Sequence, residues 1–283
     1  MRILITNDDG ILAPGIAVLA RSVAQWIERA PDGEVREAII VAPHTNYSGM
    51  SSAVGDVFDN PKVKYRRHTI VGAESIPTYG LEAPPALCAI IGATGSMGFQ
   101  PDLILSGINA GANVGRSVLH SGTVGAILTG AQLGLSGLAV SVQWGADVHY
   151  DTASAVAVEV LEEFLNAPSR TLLNLNVPNL PASELKGVRR GRISTAGIVK
   201  AAGPKAGGEP LADEGELPLR LGAATPELGD VSDEDADEDG ALLAAGYASL
   251  TALKGPHEDS DPAIDALMHS ALATIGRHLD RLR

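Results

Sequence analysis

The segment Arg2–Gly10 reads RILITNDDG. A short apolar run, Ile3-Leu4-Ile5, stops abruptly at four turn-forming residues, Asn7-Asp8-Asp9-Gly10. A run of this length without polar alternation reads as a strand buried on both faces, and the residues after it read as a turn. Such strands belong to parallel sheets covered by helices. Two neighbouring carboxylates at the tip of a buried strand repel each other and both lose solvation, which a divalent cation would relieve. Adjacent strand residues point to opposite faces, so both can reach one ion only if the chain is already turning, as Gly10 permits. The same residues also suit an Asx-type turn or an N-cap for the next helix.

Outward from this segment the pattern repeats. From Pro14 to Ile27 the apolar residues Ile16, Leu19, Ala20, Val23, Ala24 and Ile27 recur at helical spacing, with Pro14 in the first turn. Ala38–Ala42 (AIIVA) reads as a strand stopped by Pro43, and His44–Ser52 as a polar loop. Val54–Tyr79 reads as short strands and turns. Pro84–Gly92 then reads as a helix, Leu103–Leu105 as a strand, and the stretch from Ser106 to Gly122 as a Gly-rich loop. Thr123–Leu133 and Thr152–Leu165 read as helices, and Leu138–Val142 and Leu172–Val177 as strands. Strands alternating with helices predict an α/β fold, a mostly parallel sheet with helices on both faces and right-handed crossovers. The rhythm breaks after Pro178. Val188–Val199 suits one arm of a hairpin, and Gly203–Gly240 reads as an acidic, solvated, partly disordered insertion ending in DVSDEDADEDG. Tyr247–Leu253 reads as a strand and Pro262–Leu282 as an amphipathic helix. The expected organisation is a single domain over 1–283, with a core over 1–180, a hairpin and insertion over 188–240, and a strand and helix over 241–283.

The composition narrows the partners. A formal net charge of −13 repels nucleic-acid backbones and anionic membranes, so no nucleic-acid duplex and no membrane is expected. A single cysteine, Cys88, forms no internal disulfide. With no signal-peptide pattern and no membrane-length apolar run, the expected setting is cytoplasmic.

Three polar segments fall at predicted carboxyl ends of strands, where open parallel sheets bind ligands. They are Asn7–Gly10, His44–Ser52 and Ser106–Thr123. In SGINAGANVG the glycines recur every fourth residue, unlike a dinucleotide fingerprint or a P-loop. Asn109 and Asn113 offer neutral oxygens there, or the stretch is simply a structural loop. Ser121-Gly122-Thr123 precedes a helix, whose free N–H groups favour an anion; it equally suits an ordinary N-cap. His120 and His44 are candidate proton carriers or structural residues. Cys88 reads as a small core residue.

These segments together resemble the SurE family of survival-protein phosphatases, the 5′/3′-nucleotidases. The resemblance rests on MRILITNDDGILAPGIAVLA, VAPHTNYSGMSS and PDLILSGINAGANVGRSVLHSGTVGAI, with LNLNVPNLP and GYASLTAL as later signatures. It implies a Rossmann-like α/β core, a projecting hairpin and C-terminal segment that exchange contacts between subunits, and a homodimer or homotetramer. It also implies one divalent metal ion per subunit, magnesium or manganese, held by Asp8, Asp9, Ser48 and Asn109. Asp239 takes the place of a family Asp ahead of the Gly-Tyr motif. Two departures stand out. Leu87 falls where the family often has Asp before its central helix, and the hairpin region is rich in Gly, Ala and acid.

Such hard oxygen ligands suit magnesium, manganese or calcium better than zinc. The implied reaction is hydrolysis of a nucleoside 5′-monophosphate, with 3′-monophosphates as further substrates. Asp8 and Asp9 would be the catalytic residues, Asp8 favoured as base, and Ser106, Asn113, Ser121, Gly122 and Thr123 would bind phosphate. Two rivals are a covalent aspartyl-phosphate phosphatase and a non-catalytic nucleotide- or metal-binding module. The first usually needs a second Asp two residues after Asp8, where this chain has Gly10.

Overall fold

A computed structural model describes residues 1–57, 61–194, 236–256 and part of 262–272. Met1–Leu253 forms one compact unit and Lys254–Arg283 a second. In the second unit Pro262, Ile264 and Ala266–His269 are helical, within the helix expected from Pro262; its end lies outside the described residues.

The first unit is built on a nine-stranded sheet in the order β3-β4-β2-β1-β5-β6-β7-β9-β8. The central six, β4 (Thr78–Leu81), β2 (Glu37–Pro43), β1 (Arg2–Thr6), β5 (Leu103–Ala110), β6 (Ser136–Val142) and β7 (Leu172–Val177), are parallel neighbours. The edges carry the antiparallel pairs, β3 (Tyr65–His68) on β4 and β9 (Ala248–Leu253) on β7, with β8 (Val188–Arg190) parallel to β9.

Strand β1 shows why the apolar run folds this way. Ile3, Leu4 and Ile5 are fully buried. Alternation sends Ile3 and Ile5 to the core beneath α1 (Pro14–Glu28) and α4 (Tyr150–Phe164). It sends Leu4 to the opposite core, beneath α2 (Pro85–Ala93) and α3 (Gly122–Gln132). Each such side chain contributes roughly 1.5–3 kcal/mol on burial. Helix α1 buries Ile16, Leu19, Ala20, Val23 and Ala24 as expected, but Trp26 is buried in preference to Ile27. The Trp26 indole N–H donates to Glu162 on α4 at 2.7 Å, and the Arg36 guanidinium stacks over its ring at 4.0 Å.

Several expectations shift. Strand β5 does not end at Leu105. It runs through Ser106 and Asn109 to Ala110, because β6 goes on pairing with it after a register shift between Ser106 and Asn109. The Gly-rich loop contains a 3₁₀ helix, Gly115–His120. The acidic stretch ends in helix α5 (Asp239–Ala244), whose Asp239 through Leu243 are buried. Of the expected hairpin, β8 and a bridge from Arg192 to Glu238 are described, so the chain leaves and returns at adjacent points. The rest of residues 195–235 lies outside the described residues. No helix among the described residues is long and apolar enough to cross a membrane.

Candidate active site

Strand order reverses at β1. The chain passes from β1 to β2 on one side, and β5 later inserts on the other. The crevice at the carboxyl ends of β1 and β5 is therefore the topological switch point, the place where such sheets bind ligands.

The turn after β1 is held by Asn7. Its side-chain amide donates to the Gly10 carbonyl at 2.9 Å, and its oxygen accepts the Gly10 N–H at 3.2 Å. Gly10 sits at φ +104°, in the left-handed region that glycine adopts without strain. The chain thus turns at the point where two neighbouring carboxylates must swing toward one side.

Asp8 is 3% exposed and lies against the start of α3. The Thr123 hydroxyl donates to its Oδ1 at 2.6 Å. A Cβ on Gly122 would come within 2.8 Å of Asp8 Cβ and 2.9 Å of Oδ2, so only glycine lets the helix approach this closely. Burial pushes the Asp8 carboxyl above its usual range, against the Thr123 hydroxyl and the Gly122 and Thr123 N–H groups. Asp9 is pushed up to about 6, by burial first and by the Asp8 charge second. The Ala110 N–H donates to Asp9 Oδ2 at 3.4 Å, which places Asn109 one residue away. Burial and the Asp9 charge also raise the Tyr150 phenol.

The second loop closes over the turn. The Tyr47 N–H donates to the Asp8 carbonyl at 2.7 Å, and the Ile11 N–H to the Pro43 carbonyl at 2.7 Å. Ser48 follows Tyr47, is exposed, and donates its own N–H to Asn46 Oδ1 at 2.8 Å. On its far side the loop meets the 3₁₀ helix, where the Ser51 hydroxyl donates to the Leu119 carbonyl at 2.7 Å, and α3, where the Ser52 hydroxyl donates to the Gly125 carbonyl at 3.3 Å. The three expected segments therefore converge, and each touches the next.

The remaining candidates have distinct surroundings. Asn109 donates its amide to the Gly111 carbonyl at 2.7 Å, which leaves its oxygen as an acceptor. Asn113 is buried; its amide donates to Ser141 at 2.8 Å, its N–H to Asn176 at 2.7 Å, and its carbonyl accepts from Asn174 and Asn176. Ser121 caps α3, its Oγ accepting the Val124 N–H at 3.1 Å. Ser106 is enclosed on β5, paired in register with Thr6, and among the described residues neither hydroxyl has a partner. His120 is exposed. His44 Nδ1 lies 3.3 Å from the Leu81 carbonyl. Cys88 is buried with its thiol pushed up, an inert core residue, and Leu87 packs in the same core. Asp239 is fully buried and accepts the N–H groups of Gly115, Ser194 and Gly240 at 2.9–3.1 Å. It anchors the start of the 3₁₀ helix that leads to Ser121.

The model of the family described as "Survival protein SurE" matches residues 3–199. The chain belongs to the SurE family. Among SurE relatives, a 5′/3′-nucleotidase from Erwinia tasmaniensis is 36% identical over 255 residues, covering 89% of this chain and 90% of that protein. A 5′-nucleotidase from Nitrosococcus oceani is 32% identical over 288 residues, covering 100% and 99%. The SurE crystal structure from Aquifex aeolicus superposes with a TM-score of 0.71 at 26% identity, over 96% of this chain and 100% of that one.

Sequence reasoning missed the partners of these groups. Thr123 supports Asp8, a contact no sequence spacing announces. Asn174 and Asn176 did carry a signal, since residues two apart on a strand share a face.

Proposed function

We propose that this SurE chain is a phosphomonoesterase that hydrolyses nucleoside monophosphates, and that it does so with one divalent cation held by Asp8, Asp9, Ser48 and Asn109. The single observation that carries this is the pair Asp8–Asp9. Both carboxyls are pushed up, and Asp9 is raised partly by Asp8 itself. A buried pair of adjacent carboxyls, the second raised by the charge of the first, fits a cation. The donors are two carboxylates, a hydroxyl and an amide oxygen, a hard set suited to magnesium or manganese. Among the described residues no group of three or more His, Cys, Asp or Glu offers a richer site.

A bound cation would neutralise charge on the phosphoryl oxygens and acidify a water. The chain supplies the rest. Water oxygen bonds to phosphorus, the ester P–O bond breaks, the water's proton passes to a carboxylate, for which Asp8 is favoured, and the departing nucleoside oxygen takes up a proton from solvent to leave as a hydroxyl. The Thr123 hydroxyl holds Asp8 in position. Ser121 and the Gly122 and Thr123 N–H groups, which also reach Asp8, stabilise charge on the equatorial oxygens, while the Thr123 hydroxyl stays on Asp8. Asn113 and Ser106 complete the proposed phosphate site, Asn113 being oriented by Asn174 and Asn176. The same reading makes the chain a cytoplasmic homodimer or homotetramer.

The test is phosphate release from nucleoside 5′- and 3′-monophosphates with and without manganese or magnesium. Release that needs the cation and stops with chelator is expected. Hydrolysis that chelator leaves unchanged would overturn the metal reading, and binding without turnover the catalytic one.

A further inference from the structure

The chain carries a formal net charge of −13, yet residues 62–68 read KVKYRRH, with Lys62, Lys64, Arg66, Arg67 and His68 and no acid among them. Strand β3 divides this charge between two faces. Tyr65 lies opposite Leu81 and Arg67 opposite Tyr79, and the Tyr65 and Tyr79 rings meet edge-on with centroids 6.0 Å apart. Leu81 and Tyr79 belong to the core beneath α2 and α3. Alternation therefore turns Lys64, Arg66 and His68 to the other face, where Arg66 lies opposite Gly80 and His68 opposite Thr78.

That face borders a cavity of about 370 Å³, lined by Leu12, His44, Arg66, His68, Gly80 and Glu82, among others. Gly80 is buried and leaves the space open. A Cβ there would stand 2.9 Å from His68 Nε2 and 3.0 Å from Ile11 Cγ2, so the imidazole nitrogen reaches over the glycine. His44 directly follows β2, and its Nδ1 lies 3.3 Å from the Leu81 carbonyl, which leaves Nε2 for a ligand. Among the described residues Lys64 pairs with Glu82 at 3.5 Å, whereas Arg66, His44 and His68 make no ion pair. The cavity thus keeps an excess of positive charge on an acidic chain. Charge along an edge strand also blocks pairing with other chains. Arg67 serves that end as well as Arg66 does, and blocking calls for no glycine-floored opening. A cleft of one sign concentrates ligands of the other. A guanidinium matches phosphate through paired N–H groups, and openings of a few hundred Å³ take small organic ligands.

We propose that this cavity is a binding site for a phosphate group, held by Arg66, His68 and His44 and distinct from the carboxylate pair Asp8–Asp9. Arg66 donates two N–H groups to phosphate oxygens, and His68 donates from Nε2. His44 donates Nδ1–H to Leu81 and Nε2–H to the ligand, as the imidazolium. The phosphate is free orthophosphate or a second phosphate on a phosphorylated organic molecule. The site is read by binding and stands apart from the phosphomonoesterase reading above.

The test uses the full chain after chelator treatment, so that no cation draws phosphate to Asp8 and Asp9. Inorganic phosphate is the probe, and chloride holds the ionic strength constant. Hydrogen exchange should slow over residues 64–68 and 80–82. No protection there, or protection confined to residues 121–124, overturns the proposal. In calorimetric titration Arg66→Gln should weaken phosphate roughly tenfold, as the loss of charge-assisted hydrogen bonds implies. Arg67→Gln removes the same charge from the opposite face and should weaken phosphate by less than about twofold, because a screened surface charge acts weakly at a distance. Equal losses in the two variants mean a diffuse field and overturn the site. Kinetics with manganese then name the source of the phosphate. A kcat/KM that falls in Arg66→Gln for a nucleoside 3′,5′-bisphosphate but not for the 5′-monophosphate assigns the site to a second phosphate of the substrate. No change for either, with orthophosphate weakened, assigns it to the free ion. An equal fall for both makes Arg66 part of the hydrolytic site and overturns the separation.

Discussion

Asp8, Asp9 and Thr123 separate chemistry from folding. Asp8→Asn keeps the shape and removes the charge, so turnover should fall about a hundredfold or more while the far-ultraviolet spectrum is retained. Steady-state phosphate release beside circular dichroism checks this. Asp9 carries a pH signature. Its carboxyl ordinarily titrates near 3.8 and in the folded chain near 6. The folded state therefore holds this proton more tightly, and the stability so contributed is complete below pH 3.8 and lost as the pH rises through 6. In the metal-free protein the melting temperature should drop over this window, and drop less in Asp9→Asn. Metal affinity runs the other way and should weaken below pH 6, where the proton competes for the same oxygen. Calorimetric titration with manganese at pH 5 and pH 7 measures it.

At the scale of elements, helix α3 faces both ways. Its N-cap, Ser121, satisfies the Val124 N–H, so Ser121→Ala should cost about 1 kcal/mol in denaturant unfolding. Its first residue, Gly122, is where packing meets chemistry. Gly122→Ala puts a Cβ within 2.9 Å of Asp8 Oδ2, so the carboxylate or the helix must shift. Activity should fall by more than tenfold, a larger loss than Ser121→Ala causes, and metal affinity should fall with it. Equal effects of the two variants on affinity would remove Gly122 from the site. The helix was legible as a helix from its apolar pattern. That its first turn holds Asp8 was not, because Asp8 and Thr123 lie 115 residues apart in the chain.

Across the whole molecule, Asp239 joins distant parts. Its carboxylate accepts N–H groups from Gly115, Ser194 and Gly240 in the interior. Asp239→Ala would strand those donors and should destabilise the chain by about 3 kcal/mol. It should also raise KM for the phosphoester, since Gly115 begins the 3₁₀ helix leading to Ser121. Urea unfolding and kinetics on the same preparation separate the two effects. Read along the chain, Asp239 sits among the acids of DVSDEDADEDG and looks like a solvated charge. What distinguishes it is the helix it starts, whose GALL residues are buried.

The alternation of apolar runs and helical stripes was enough to predict the parallel sheet, its two helical layers and the three polar loops at one edge. Those features follow from local periodicity and from which residues leave water, and both are written in consecutive residues. The tertiary structure alone decided how far β5 extends, which side chains hold Asp8 and Asn113, and that Asp239 is an interior anchor. Each of these depends on strand order and on contacts between residues far apart in the chain, and a period of two or 3.6 residues carries no information about either.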